Sequence, residues 1–263
     1  MLDIDYLINI FGAFNVLLTK RLFMIYRIIP VLIVVLFSFS SYESSKKRFS
    51  NADAKIIASN PSNSLEFRCK SIYETLDLNS FTLPKFDVFL AAFQGFEQMK
   101  QQGRLENDLL TVIDFSLPSS EERLWVIDMS CQQIVLKSLV AHGRNSGLAY
   151  ATDFSNENES FKSSLGFYLT GEVYKGKHGV SLRLDGLEYG INHNARERAV
   201  VLHGADYVNK KLAQKQGYIG RSLGCPAVPI GVHLQLIELI KNKSCLFIFH
   251  PSRKQLQAAK LLS

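Results

Sequence analysis

A mainly β protein with helices at its periphery, an α+β fold, is the class this sequence predicts, and three observations carry it. From Asp108 onward, short runs of Val, Ile, Leu and aromatic residues are separated by turn residues, the pattern of an antiparallel sheet. Ahead of that point, two stretches place apolar residues at three- and four-residue steps, the period of a helix packed on one face. Close to the end, Ser244 to His250 (SCLFIFH) is apolar on consecutive positions, as a strand covered on both faces must be. No internal repeat is visible.

The elements follow in order. Leu65 to Leu78 sets Leu65, Cys69, Ile72 and Leu76 along one helical face. Pro84 opens a second helix whose stripe of Phe86, Phe89, Leu90, Phe93 and Phe96 reads as core packing, and Gly103 stops it. Leu109–Leu117, Arg123–Met129 and Ile134–Ala141 form an expected meander of strands, followed by a polar loop over residues 143–164. Phe167–Tyr174 and Val180–Leu184 flank the turn Gly176-Lys177-His178-Gly179, and Ala199–Leu202 is a strand with His203-Gly204 at its tip. Gly231–Lys241 has helical spacing and Ser244–His250 closes the set.

Composition narrows the function. Of 263 residues 47% are hydrophobic and 21% charged, which supports a full core and excludes general disorder. The net charge of +6 suits contact with an anionic polymer or a membrane. The basic residues are scattered, with Lys46-Lys47-Arg48 the one dense run, and there is no helix-turn-helix or finger-type spacing, so nucleic acid is not an expected partner. Nothing in the sequence points to an oligomeric state.

The N-terminal region has its own character. Ile28 to Ser41 (IIPVLIVVLFSFSS) is a nearly unbroken apolar run of fourteen residues between Lys20, Arg21, Arg27 and the later basic run. A basic flank, a short apolar stretch and then small residues describe an export signal, and the run is short of the ~20 residues of a full span. Met24 would open a compact signal. An uncleaved membrane anchor and a buried core helix are the other readings. The expected organisation is a signal or anchor over 1–42, a linker over 43–63, a helical region over 64–104, a catalytic domain over 105–252 and a tail over 253–263, with export out of the cytoplasm.

Chemistry concentrates at Ser222-Leu223-Gly224-Cys225-Pro226 and at His203-Gly204, twenty-two residues before the cysteine. Glycine and proline on either side hold Cys225 on a sharp, rigid turn. A thiol beside an imidazole is the kit for nucleophilic acyl transfer, with His203 as base. The N–H groups of Gly224 and Cys225 could form an oxyanion hole. Taken alone, Cys225 could equally be a buried structural thiol. His178 and His193 are rival bases, while His250, after a strongly apolar run, reads as structural. Arg183, Arg221 and Lys210 could hold a carboxylate, and Tyr207 is a further substrate contact. Cys69, Cys131 and Cys245 permit one disulfide or none if Cys225 stays free. A metal site of His203, Cys225 and His178 lacks close ligand pairs, and no C-x-x-C exists.

His203-Gly204 followed by Ser222-x-Gly224-Cys225 resembles the L,D-transpeptidase (YkuD-type) catalytic domain, whose motif runs His-Gly, a spacer, then Ser/Thr-His-Gly-Cys. Leu223 replaces the histidine before Gly-Cys, and Pro226-Ala227-Val228 replaces the usual residues after it. Both departures, with AHGRNSG (141–147), SSLGFYLTGEVYKGKHGVSLRLDGLEYG (163–190) and HGADYV (203–208), resemble the family's divergent murein branch over roughly residues 85–250. The resemblance implies a β-sandwich or partly closed barrel, Cys225 as nucleophile, His203 as base, the Gly204 carbonyl as orienter of the imidazole and Ser222 as a brace. It implies 3→3 cross-linking of peptidoglycan stem tetrapeptides with release of D-Ala, without metal or cofactor. Water as acceptor would make an L,D-carboxypeptidase of the same site, and loss of chemistry a wall-binding module.

Overall fold

A computed structural model describes residues 64–253. The export signal or anchor, the linker over 43–63 and most of the tail lie outside the described residues. Among those described, no helix is long and apolar enough to cross a membrane. The unit from Leu65 onward comprises helices α1 (Leu65–Thr75), α2 (Phe86–Gln101), α3 (Lys210–Gln216) and α4 (Ile230–Ile240). Its strands are β1 (Leu109–Asp114), β2 (Leu124–Asp128), β3 (Gln133–Ser138), β4 (Gly166–Gly176), β5 (Gly179–Gly186), β6 (Val201–Ala205), β7 (Ala227–Pro229) and β8 (Cys245–Phe249).

The strands form one sheet in the order β3-β2-β1-β8-β4-β5-β6-β7. The expected meander holds, since β1–β2 and β2–β3 pair antiparallel. β8 enters between β1 and β4, parallel to the first and antiparallel to the second. The chain leaving β3 then meets the far edge of the sheet. The Ala141 N–H donates to the Ala227 carbonyl at 2.8 Å, and Gly143 bridges Ser222. This contact bends the sheet into a nearly closed barrel.

Alternation along the strands divides the core in two. In β8, Leu246 and Ile248 face the barrel interior with Tyr168, Leu182, Leu202 and Val228, while Cys245 and Phe247 face outward. Leu236, Ile237 and Ile240 of α4 join the inner cluster. The outer face is covered by the α2 stripe, where Phe89, Phe93 and Phe96 are buried against Trp125 and Phe247. The aromatic stripe is therefore core. Cys69 and Cys245 are buried free thiols and Cys131 is an exposed one, so no disulfide forms among the described residues.

Two short elements, α3 and β7, are absent from the sequence reading, and one expected boundary moves. His203-Gly204 does not end a strand. β6 runs through both residues to Ala205, because β7 pairs parallel with them in the register His203–Ala227, Gly204–Val228 and Ala205–Pro229.

Candidate active site

The β6–β7 register decides what lies beside Cys225. With His203 opposite Ala227, the chain two residues earlier brings Cys225 against Val201. The half-buried Sγ accepts a hydrogen bond from the Val201 N–H at 3.5 Å. Its S–H points at the Ala199 carbonyl, 3.7 Å away. Ala199 holds a left-handed backbone with φ of 53°, which costs a non-glycine residue about 1 kcal/mol. Strain of this kind gathers at functional sites, and the sequence carries no signal of it.

The turn around the cysteine is fixed by hydroxyl groups. Ser222 Oγ donates to the Cys225 carbonyl at 2.6 Å and accepts from the Gly224 N–H at 3.0 Å. Gly224 has φ of 121°, and a Cβ there would stand 2.8 Å from the Lys162 carbonyl oxygen. Both facts require glycine. Ser163 Oγ accepts from the Gly143 N–H at 3.0 Å and donates to the Gly224 carbonyl at 3.1 Å. The oxyanion-hole expectation needs a correction here: the Gly224 N–H is engaged by Ser222 Oγ. Of the two N–H groups, the Cys225 N–H is the one that donates to no protein acceptor among the described residues.

His203 is buried on β6, and its Nδ1 lies 3.0 Å from the Gly204 carbonyl. A carbonyl only accepts, so Nδ1 carries the proton and Nε2 presents a lone pair. Burial holds the imidazole pKa below its usual value, against the opposing pull of that carbonyl, and nearby His178, His233 and Lys177 lower it further. The thiol is pushed up by burial, with the Val201 N–H, Arg198 and Lys177 pulling the other way. At rest both groups are neutral. Among the described residues they are not hydrogen-bonded to each other.

Of the other expected site residues, His178 comes closest. It is exposed on the β4–β5 turn and stacks on the His203 ring, with centroids 4.3 Å apart and planes at 21°. Tyr207 is half-buried, and its phenol is pushed up to about 12 by burial, then by Cys225 and Asp206. Leu223 is 53% exposed. Arg183 and Arg221 are engaged elsewhere. Arg183 pairs with Glu172 at 2.8 Å and lies over the Tyr174 ring, while Arg221 Nη1 donates to the Arg144 and Gly147 carbonyls, each at 3.2 Å. Lys210 pairs with Glu122 at 2.8 Å. His193 accepts from the Gly190 N–H at 2.7 Å and lies tilted at 32° against the Tyr189 ring.

Several residues around the site escape the sequence reading. His233 of α4 lies where a Cβ on Gly204 would meet its ring at 2.7 Å. Arg123 and His142 are both fully buried. Arg123 Nη2 donates to His142 Nδ1 at 2.8 Å and to the Val140 carbonyl at 3.0 Å, and His142 Nε2 lies 3.3 Å from the Gly147 carbonyl. This pair holds the strand-like segment 140–143, whose His142 carbonyl accepts from the Ser222 N–H at 3.0 Å. Among the described residues, no group of three or more His, Cys, Asp or Glu side chains is placed to hold a metal ion.

Residues 82–249 match the family model described as the L,D-transpeptidase catalytic domain. No curated protein sequence matches the chain. Among solved structures, an L,D-transpeptidase from Mycobacterium smegmatis is 13% identical with a TM-score of 0.33, over 54% of this chain and 59% of that one. An Enterococcus faecium L,D-transpeptidase is 12% identical with a TM-score of 0.32, over 54% and 50%. One from Xylanimonas cellulosilytica is 12% identical with a TM-score of 0.32, over 70% and 91%. The chain thus spans between half and about three fifths of the first two relatives. The kinship rests on the family model, which covers well over half of the sequence and both the His203 and Cys225 segments: the chain belongs to the L,D-transpeptidase catalytic domain family.

Proposed function

We propose that the protein is a peptidoglycan L,D-transpeptidase acting outside the cytoplasm, with Cys225 as nucleophile and His203 as general base. The observation that carries this reading is the β6–β7 register, which sets a half-buried thiol beside a strand bearing a buried imidazole with its Nε2 lone pair free. In the proposed reaction the thiol turns away from Ala199 and gives its proton to Nε2. Sγ then bonds to the carbonyl carbon of the third residue of a stem tetrapeptide. The developing oxyanion meets the Cys225 N–H. The bond to the terminal D-Ala breaks, and the imidazolium protonates the departing amine. An amine of a second stem next attacks the thioester and loses its proton to His203. The C–S bond breaks as the 3→3 amide forms, and the thiolate recovers its proton. Ser222 braces the turn and the Gly204 carbonyl orients the imidazole.

Because the imidazole must be neutral and its pKa is lowered, activity should hold down through the usual histidine range near pH 6.5 and fail only below it. The test is mass analysis of tetrapeptide muropeptides after incubation with the full chain. The expected products are dimers that have lost one D-Ala. Tripeptides without dimers would assign water as the acceptor and make the enzyme an L,D-carboxypeptidase. Cys225→Ala should lower turnover on the order of a thousandfold or more with the melting temperature unchanged. Full activity in that variant would end the assignment.

A further inference from the structure

Arg198 sits in the segment that leads into β6, half-buried, with all four of its Nη hydrogens committed. Nη1 donates to the Ser155 carbonyl at 2.8 Å and to the Ser164 hydroxyl. Nη2 donates to Ser160 Oγ at 3.1 Å and to the Lys162 carbonyl at 2.8 Å. None of these partners is charged. Among the described residues Arg198 has no carboxylate partner, and the ionisable groups that feel its charge are Tyr168 and Cys225. Nη2 comes within 3.5 Å of the point where a Cβ on Gly224 would sit, so the charge lies against the cysteine turn.

An unpaired cation held away from water is costly, and proteins place such charges opposite an anion or replace them. Here four neutral acceptors keep the charge fixed, and no donor on Nη remains to bind a substrate. The group left to answer the charge is the sulfur. We propose that Arg198 is a positioning residue that acts on the reaction through Cys225, its clamped and unpaired guanidinium favouring the thiolate at the moment the proton leaves. The proposal builds on the reading of Cys225 as nucleophile. The other ionisable groups whose charge reaches the sulfur are Lys177 from the β4–β5 turn and Tyr207 after β6, while His203 lies two residues along β6 from Val201, whose N–H holds the sulfur. Lys177 is exposed and Tyr207 is neutral at working pH, which leaves Arg198 as the shielded cation.

The test is the pH dependence of alkylation by iodoacetamide in the full chain, read by mass spectrometry on the peptide that contains Cys225, because exposed Cys131 also reacts. Removing an opposite charge this close raises a thiol pKa by about one unit, so Arg198→Gln should alkylate about tenfold more slowly at pH 7. Arg198→Lys, which keeps the charge and loses the fork, should stay within about threefold of the parent. Equal slowing in both variants, or an unmoved profile in a folded Arg198→Gln, overturns the proposal. If Arg198→Gln does not fold, Ser160→Ala and Ser164→Ala loosen the clamp and leave the charge. With two of the four clamping bonds gone and the charge kept, alkylation should slow by about two- to threefold, and a profile identical to the parent overturns the proposal. The assay uses no stem peptide. If Cys225 is not the nucleophile of transfer, Cys225→Ala will keep its muropeptide activity whatever the alkylation profile does.

Discussion

On the outer face of the sheet, α2 meets β1, β2 and β8 through Phe89, Phe93, Phe96, Trp125 and Phe247, with Phe89 and Phe93 stacked at 6.0 Å. Around the Cys225 turn the material is different: Ser222, Ser163, Ser146 and the Arg123–His142 pair hold three loops by hydrogen bonds. The first region gains its stability from buried area, which is non-directional and tolerant of small shifts. The second gains its geometry from directed bonds between groups 20 or 61 residues apart in sequence, with little apolar area of its own. One region should therefore fail by losing stability and the other by losing alignment.

The largest expected effect tests the first half of that contrast. Phe93 is 1% exposed at the centre of the aromatic layer. Phe93→Ala should cost about 3–5 kcal/mol in a urea or thermal unfolding experiment. Below the new melting temperature, turnover should stay within about twofold of the parent. A loss of turnover in folded protein, out of proportion to the stability lost, would show that the layer shapes the site and that the two regions are not separable.

The same contrast explains what was legible in the sequence. The helical stripes, the meander and the buried β8 were readable because apolar period reports burial directly. The Cys225 and His203 segments were readable through their motif. Ala199, Ser163, Arg198 and His233 were not, since each owes its role to a partner brought close by the fold, and a lone serine or arginine in a polar stretch carries no periodic signal. β7 was lost because three residues, Ala227–Pro229, are too few to show a period. The tip position expected for His203 failed for the same reason, as the strand that extends β6 is that short partner.

Acid should separate the regions next. His142 is fully buried, and burial followed by the Arg123 charge lowers its pKa from 6.5 to about 4. It is neutral in the folded protein, while the unfolded chain takes up the proton near 6.5. The stabilisation is thus complete above pH 6.5 and is lost as pH falls toward 4, by about 3 kcal/mol in all. His142→Gln can still accept from Arg123 and donate to Gly147 but cannot titrate. Unfolding measured at pH 7.5 and pH 4 should show the parent losing about 3 kcal/mol more than this variant. Parallel losses would mean that His142 is protonated without cost and that the Arg123 contact is dispensable.

The smallest effect on stability should carry a disproportionate effect on turnover, and it falls on Ser163. Its buried Oγ links the Gly143 N–H to the Gly224 carbonyl, so it ties segment 140–143 to the residue before Cys225. Ser163→Ala removes a single hydroxyl but strands one buried donor and one buried acceptor, a loss of about 1–3 kcal/mol. The Gly224 carbonyl would then be free to swing, and with it the peptide that presents the Cys225 N–H and thiol. A displacement of that kind can lower turnover by about a hundredfold. Phe93→Ala, with the larger stability cost, should lower it hardly at all. Measuring unfolding and muropeptide turnover on both variants sets the two losses side by side. If Ser163→Ala loses activity only in proportion to its stability, the hydroxyl scaffold is packing material like the aromatic layer, and alignment at Cys225 must come from the backbone pairing of β6 and β7 alone.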